Sequence, residues 1–120
     1  MHEFPAAARI LEIALEKAQE NGADRATEIH LVMGDRCGYL FESLKLCFEA
    51  AAMGTACEKT ELTVERIPAQ LQCDRCGTRF VKKPFSFDCP KEGCGGSGIP
   101  TDTGREFYVK YIELSNDGSK

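Results

Sequence analysis

Apolar residues recur at steps of three and four from position 4 to position 20. Ile10, Leu11, Ala14, Leu15 and Ala18 then share one face, which predicts an amphipathic helix. Pro5 suits a first helical turn, and Asn21-Gly22 supplies a left-handed stop. The period changes to two over residues 26–33 (ATEIHLVM). Ile29, Leu31 and Met33 lie on one side of this predicted strand, and Glu28, His30 and Val32 on the other. Gly34-Asp35 breaks the pattern. Residues 38–53 return to helical spacing, with Leu40, Phe41, Leu44, Phe48, Ala51 and Ala52 as the apolar stripe. Residues 61–67 (ELTVERI) read as a second strand in which Leu62, Val64 and Ile67 seek cover, and Pro68 ends it. Alternation reappears at 105–114 (REFYVKYIEL), a third strand.

Between these last two strands the pattern fails. Residues 71–104 are dense in Cys, Gly and Pro and show little helical periodicity, so they can hardly build an apolar core of their own size. A metal can substitute for the missing core in so small a module. The expected fold class is therefore α+β: two helices packed on a small, mainly three-stranded sheet, with an inserted four-cysteine zinc module. The expected domains are 1–68 with 105–120, and 69–104. Chain crossings near Pro68 and Gly104 join the two and could serve as hinges or as a coupling route.

Composition narrows the function. The chain has 120 residues, 42% hydrophobic and 28% charged, an ordinary globular balance. The longest apolar runs are too short to span a bilayer, and no secretory signal is legible at the N-terminus. A cytoplasmic location is expected. The net charge of −4 argues against holding DNA by bulk charge. Seven cysteines is an odd count, whereas a secreted disulfide scaffold normally uses an even one.

Four of the seven form two short-spaced pairs, Cys73-Asp-Arg-Cys76 and Cys89-Pro-Lys-Glu-Gly-Cys94. Two such pairs can close a thiolate tetrahedron around zinc, with no open position for catalysis. Gly77 and Gly95 directly follow the second Cys of each pair and permit the turn that aims amides at the sulfurs. A redox dithiol is the weaker reading, because no helix follows either pair. Iron in a rubredoxin-like site remains an alternative, since sulfur ligands alone do not select the metal. The intervening TRFVKKPFSFD suits a hairpin, with Phe80, Phe85 and Phe87 as its small core. A zinc-ribbon interaction or nucleic-acid-binding module is the runner-up for the whole chain. There is no Ser/His/Asp set and no phosphate loop, so no enzyme is expected.

The chain starts Met1-His2-Glu3. A free amine, the next amide nitrogens and an imidazole at position 2 offer several nitrogen donors within a few bonds. Nitrogen donors in one plane suit Ni(II) or Cu(II). His30 reads as a structural or surface histidine. Cys37, Cys47 and Cys57 have no metal spacing, and Cys47 reads as a small core residue.

The MHE start, the helix behind it, residues 35–55 (DRCGYLFESLKLCFEAAAMGT), the CxxC…CP…CGG module and the closing REFYVKYIEL occur in one order. Together they resemble the HypA/HybF family of hydrogenase maturation proteins over essentially the whole chain. The resemblance implies a nickel metallochaperone that works with a HypB-type GTPase and delivers Ni(II) for assembly of the [NiFe]-hydrogenase large subunit. It implies His2 as the main nickel ligand, helped by Met1 and backbone nitrogens, with Glu3 tuning or completing the set. It also implies Cys73, Cys76, Cys89 and Cys94 as zinc ligands. One departure stands out: many members place two residues between the last two cysteines, and this chain has four.

Overall fold

The computed structural model describes residues 3–116. Met1 and His2 lie outside the described residues. The element order is α1 (Glu3–Glu20), β1 (Arg25–Gly34), α2 (Phe41–Ala52), β2 (Glu61–Ile67), β3 (Gln70–Cys73), β4 (Arg79–Val81), β5 (Gly98–Pro100) and β6 (Phe107–Ser115). No helix among the described residues is long and apolar enough to cross a membrane.

Helix α1 follows from its apolar spacing. Ala7, Ile10, Leu11, Ala14 and Ala18 are buried along one face. Its end is a Schellman motif. The Ala23 N–H bonds Ala18 O at 2.8 Å, the Gly22 N–H bonds Gln19 O at 3.2 Å, and Gly22 sits at φ 65°. Helix α2 starts later than its pattern predicts. Leu40 is the N-cap in extended geometry and 68% exposed, so it leaves the apolar stripe. Leu44, Phe48 and Ala52 are the buried positions of that stripe.

The first sheet has the order β2-β1-β6. Asp24 N–H bonds Ser115 O and Gly34 N–H bonds Glu106 O, so β6 runs antiparallel to β1. Thr60 Oγ1 bonds Ala26 O and Asp35 N–H bonds Ile67 O, so β2 runs parallel to β1, with α2 as the crossover. Ile29 and Leu31 are fully buried on the central strand, and α1 packs against α2. The second sheet, β4-β3-β5, is antiparallel throughout. Its central strand, β3, ends on Cys73, the first cysteine of the cluster, and the sequence pattern assigns it no element.

The chain forms two compact units. One holds the chain up to Val32, Tyr39–Glu65, and the chain from Tyr108 onward; the other holds Met33–Gly38 and Arg66–Phe107. Residues 33–38 run as an arm within the second unit. Asp35 N–H bonds Ile67 O at 2.9 Å, and Arg36 N–H bonds Gly104 O at 2.6 Å. Gly34 passes so close to the Gly104 carbonyl that no side chain fits there.

The hairpin between the cysteine pairs departs from expectation. A tight turn, Lys83-Pro84-Phe85-Ser86, is closed by the Ser86 N–H to Lys83 O at 3.2 Å. Phe85 and Phe87 do not form a core: Phe85 is fully exposed and Phe87 is half exposed. Packing within the unit centres instead on β3, where Leu71 and Cys73 are buried.

Candidate metal centre

The two cysteine pairs converge. The Sγ atoms of Cys73, Cys76, Cys89 and Cys94 all lie within 4.8 Å of one another. Cys73 and Cys94 are 3.5 Å apart, and Cys76 and Cys89 are 3.7 Å apart. A tetrahedron with zinc–sulfur bonds of about 2.3 Å has edges of roughly 3.8 Å, so these separations fit a tetrahedral thiolate site.

Local backbone geometry explains the convergence. After each second Cys the chain turns through a left-handed glycine, Gly77 at φ 76° and Gly95 at φ 71°. The Arg75 and Cys76 amides point at Cys73 Sγ at 3.3 and 3.4 Å, and the Lys91 amide points at Cys89 Sγ at 3.5 Å. The long 89–94 segment is taken up by a turn, in which the Cys94 N–H bonds Lys91 O and Gly93 sits at φ 82°. The extra residues thus bulge without taking Cys94 out of the cluster. The two knuckles are tied to each other. Asp74 N–H bonds Ser97 O at 2.9 Å, Ser97 N–H bonds Asp74 Oδ1 at 3.1 Å, and the Arg75 guanidinium bonds Cys94 O at 3.2 Å.

The thiols divide electrostatically. The Thr78 hydroxyl, then its amide, bring Cys76 down to about 6. The Cys76 and Arg75 amides lower Cys73. For Cys89 the Lys91 amide works downward, but desolvation and the other three sulfurs outweigh it and push the thiol up to about 12. For Cys94 the Gly96 amide works downward, yet the Cys73 sulfur and desolvation raise it. Four thiolates at this spacing repel one another, and a dication bound at the centre would let all four ionise.

In the sequence Gly96 appears only as the last residue of the CGG run, and Thr78 has no motif to mark it. A Cβ at Gly96 would sit 2.5 Å from Cys73 Sγ and 3.0 Å from both Arg75 Cγ and Asp74 Oδ1. Gly96→Ala is therefore expected to speed metal loss to a chelator by roughly ten- to a hundredfold, the usual scale for disturbing groups that support metal ligands. Release followed with a colorimetric metal indicator checks this. A rate equal to wild type would mean that the knuckle yields freely.

Other candidate residues are placed as follows. Glu3 opens α1, and its Oε2 accepts the Leu40 N–H at 3.2 Å. Leu40 has no side-chain cap, so a carboxylate 37 residues away provides the anionic group at the start of α2. His30 faces Thr63 Oγ1 through Nδ1 at 2.7 Å and Glu65 Oε1 through Nε2 at 3.1 Å, and it stacks on Tyr111 at 4.9 Å. Lys110, then His30, hold Glu65 below the usual carboxylate range. His30 is not part of a metal-donor cluster among the described residues. Cys47 is only half buried. Cys57 is the fully buried thiol, and burial raises it above the ordinary thiol range.

Comparison with known proteins gives a consistent picture. The family profile described as "Hydrogenase/urease nickel incorporation, metallochaperone, hypA" matches residues 1–114. The hydrogenase maturation factor HypA of Chlorobaculum tepidum is 38% identical over 114 residues, covering 95% of this chain and 99% of that protein. Its counterpart from Caldanaerobacter subterraneus subsp. tengcongensis is 33% identical over 115 residues, covering 95% and 99%. In fold, the chain resembles a solution structure of a HypA protein with a TM-score of 0.67, at 21% identity and 98% coverage of both chains. It also resembles the Ni metallochaperone HypA from Helicobacter pylori, with a TM-score of 0.61, at 19% identity and coverage of 96% and 98%. Sequence match, fold and the closed four-sulfur cluster agree: the chain belongs to the HypA family of hydrogenase-maturation nickel metallochaperones.

Proposed function

We propose that this protein carries Ni(II) at its N-terminus and passes it to the hydrogenase large subunit with the help of a HypB-type GTPase, while zinc in the cysteine cage maintains the second unit. The observation that carries the reading is a family match running from residue 1 through residue 114, with Met1-His2-Glu3 at its head. The nickel-binding domain is drawn at 1–68 and 105–120, and the zinc domain at 69–104. The protein works in the cytoplasm and is not an enzyme. Nickel is cargo, held by the Met1 amine, nearby amide nitrogens and His2.

The two ions are separated by ligand type. Four thiolates suit zinc and leave no vacant position, so that ion supplies structure only. Nitrogen donors at a chain end suit nickel and allow release. The four sulfurs support the zinc assignment through their tetrahedral spacing.

Nickel must displace protons from the amine and the imidazole, whose ordinary pKa values are about 7.7–8.0 and about 6.5. Both ligands bind in their deprotonated form, so affinity falls as pH drops. Calorimetric titration of Ni(II) into untagged, zinc-loaded protein is expected to give one nickel per chain, bound more weakly at pH 6 than at pH 7.5. An affinity that stays flat across that interval would remove the N-terminal amine and His2 from the site.

A further inference from the structure

The Lys83–Ser86 turn breaks a local rule and gains nothing for the fold. Pro84 occupies its second position and Phe85 its third, at φ 61°, the only described non-glycine residue with positive φ. Negative φ followed by positive φ is the type II pattern, whose third position suits Gly or Asn. A phenylalanine there is strained. Burying the ring could offset that strain, but the ring is fully exposed. Flanking apolar groups are also uncovered, since Val81 is 50% and Phe87 51% exposed. Lys82 and Lys83 stand beside them and are exposed. A sequence that breaks a local preference without an internal gain points to an external contact.

Resting on the nickel-delivery reading, we propose that Phe85 is a docking anchor. It inserts into an apolar pocket on the protein that accepts the nickel, and Lys82 and Lys83 meet carboxylates at the pocket rim. Charge supports that choice. Residues 79–87 carry Arg79, Lys82 and Lys83 and no acidic residue, so the tip is positive and its complement is an acidic rim. A basic rim around an aromatic tip complements such a surface, and buried aromatic anchors dominate protein interfaces. Single-stranded nucleic acid fits less well. The Lys82 ammonium lies 4.7 Å from the Phe87 ring centroid and occupies a face that a base would stack on.

The test uses full-length, untagged, zinc-loaded protein and the purified nickel-free hydrogenase large subunit as the immobilised probe. Phe85→Gly is expected to weaken binding by roughly tenfold or more. Its melting temperature should be equal to or above wild type, because glycine relieves the turn. Phe85→Tyr should bind within a few-fold of wild type. Lys82→Glu with Lys83→Glu should weaken binding and flatten its salt dependence. Nickel loading should be unchanged in all of them. Equal binding by wild type and Phe85→Gly overturns the anchor and leaves the delivery reading standing. A wild type that loads nickel but does not bind the large subunit overturns both. Tighter binding of a 20-nucleotide single strand than of the large subunit overturns the anchor in favour of a nucleic-acid contact.

Discussion

Removing zinc with a chelator, or replacing Cys73 with serine, should unfold residues 66–107 and leave the first unit folded. Buried apolar side chains in the second unit, among the described residues, are few: Met33 on the arm, Leu71 and Cys73. Its strands are short, with three residues in β4 and three in β5. A core this small cannot offset the chain entropy of about 40 residues. Structural zinc sites contribute on the order of 10–16 kcal/mol of apparent binding free energy at neutral pH, and that energy becomes folding energy when the unloaded module lacks structure. The two units can be read separately. All three tyrosines, Tyr39, Tyr108 and Tyr111, belong to the first unit, and the chain has no tryptophan. Tyrosine emission and near-ultraviolet dichroism should therefore persist in the zinc-free protein. Amide protection at Leu71 and Gln72 should collapse, and cleavage by trypsin should concentrate between Arg75 and Lys91. Zinc-free protein that keeps protection at Leu71 would show that the sheet stands without its metal.

The second large effect is expected at His2. His2→Ala should abolish measurable nickel binding, a loss of roughly a hundredfold or more. On the proposed reading it would remove a preferred nitrogen donor from a site with few side-chain ligands. Zinc content, counted by elemental analysis, should stay at one per chain in both proteins. Residues added before Met1 should mimic the mutation in part, because they convert the amine to an amide. Glu3→Gln should have a smaller effect on nickel. The Glu3 carboxylate already accepts the Leu40 amide, so its position is fixed by the start of α2. Equal nickel binding by wild type and His2→Ala would move the site away from the N-terminus.

The sequence made some of this architecture legible and hid the rest, for identifiable reasons. Helix α1 and strand β2 were readable because their apolar spacing matches one period over a full element and their ends carry Gly22 and Pro68. Leu40 was misread because it continues a helical spacing, while its backbone is extended and Gly38 just before it sits at φ 91°. Strand β3 is four residues long, too short to show a period, and it forms through its partners β4 and β5. The arm at 33–38 gives no local signal either, since its hydrogen bonds reach Ile67 and Gly104. At the cysteine cluster the four converging thiols are legible because their spacing is itself the chemistry. Thr78 and Gly96 were not, because support of a ligand depends on where the backbone places an amide or leaves a gap. Hydrophobicity alone places Phe85 in a core, but its ring is exposed. Pro84 fixes the turn, and the turn sends the ring outward.

The strand order β2-β1-β6 also governs how the chain assembles as it is made. On the ribosome, β1 and β2 emerge early, but the second neighbour of β1 follows only after the whole cysteine module. About 48 residues separate Ile67 from Ser115, roughly two to ten seconds of synthesis. Until then one edge of β1 is open, and closing it requires a long loop. Metal capture by the four cysteines would shorten that search. Once the module folds, Asp35 bonds Ile67 and Arg36 bonds Gly104, so the arm that continues β1 already lies beside the segment that leads into β6. Zinc held by the four cysteines would act as an assembly clamp for the nascent protein, and a shortage of it during translation would leave an unpaired strand exposed to neighbouring chains.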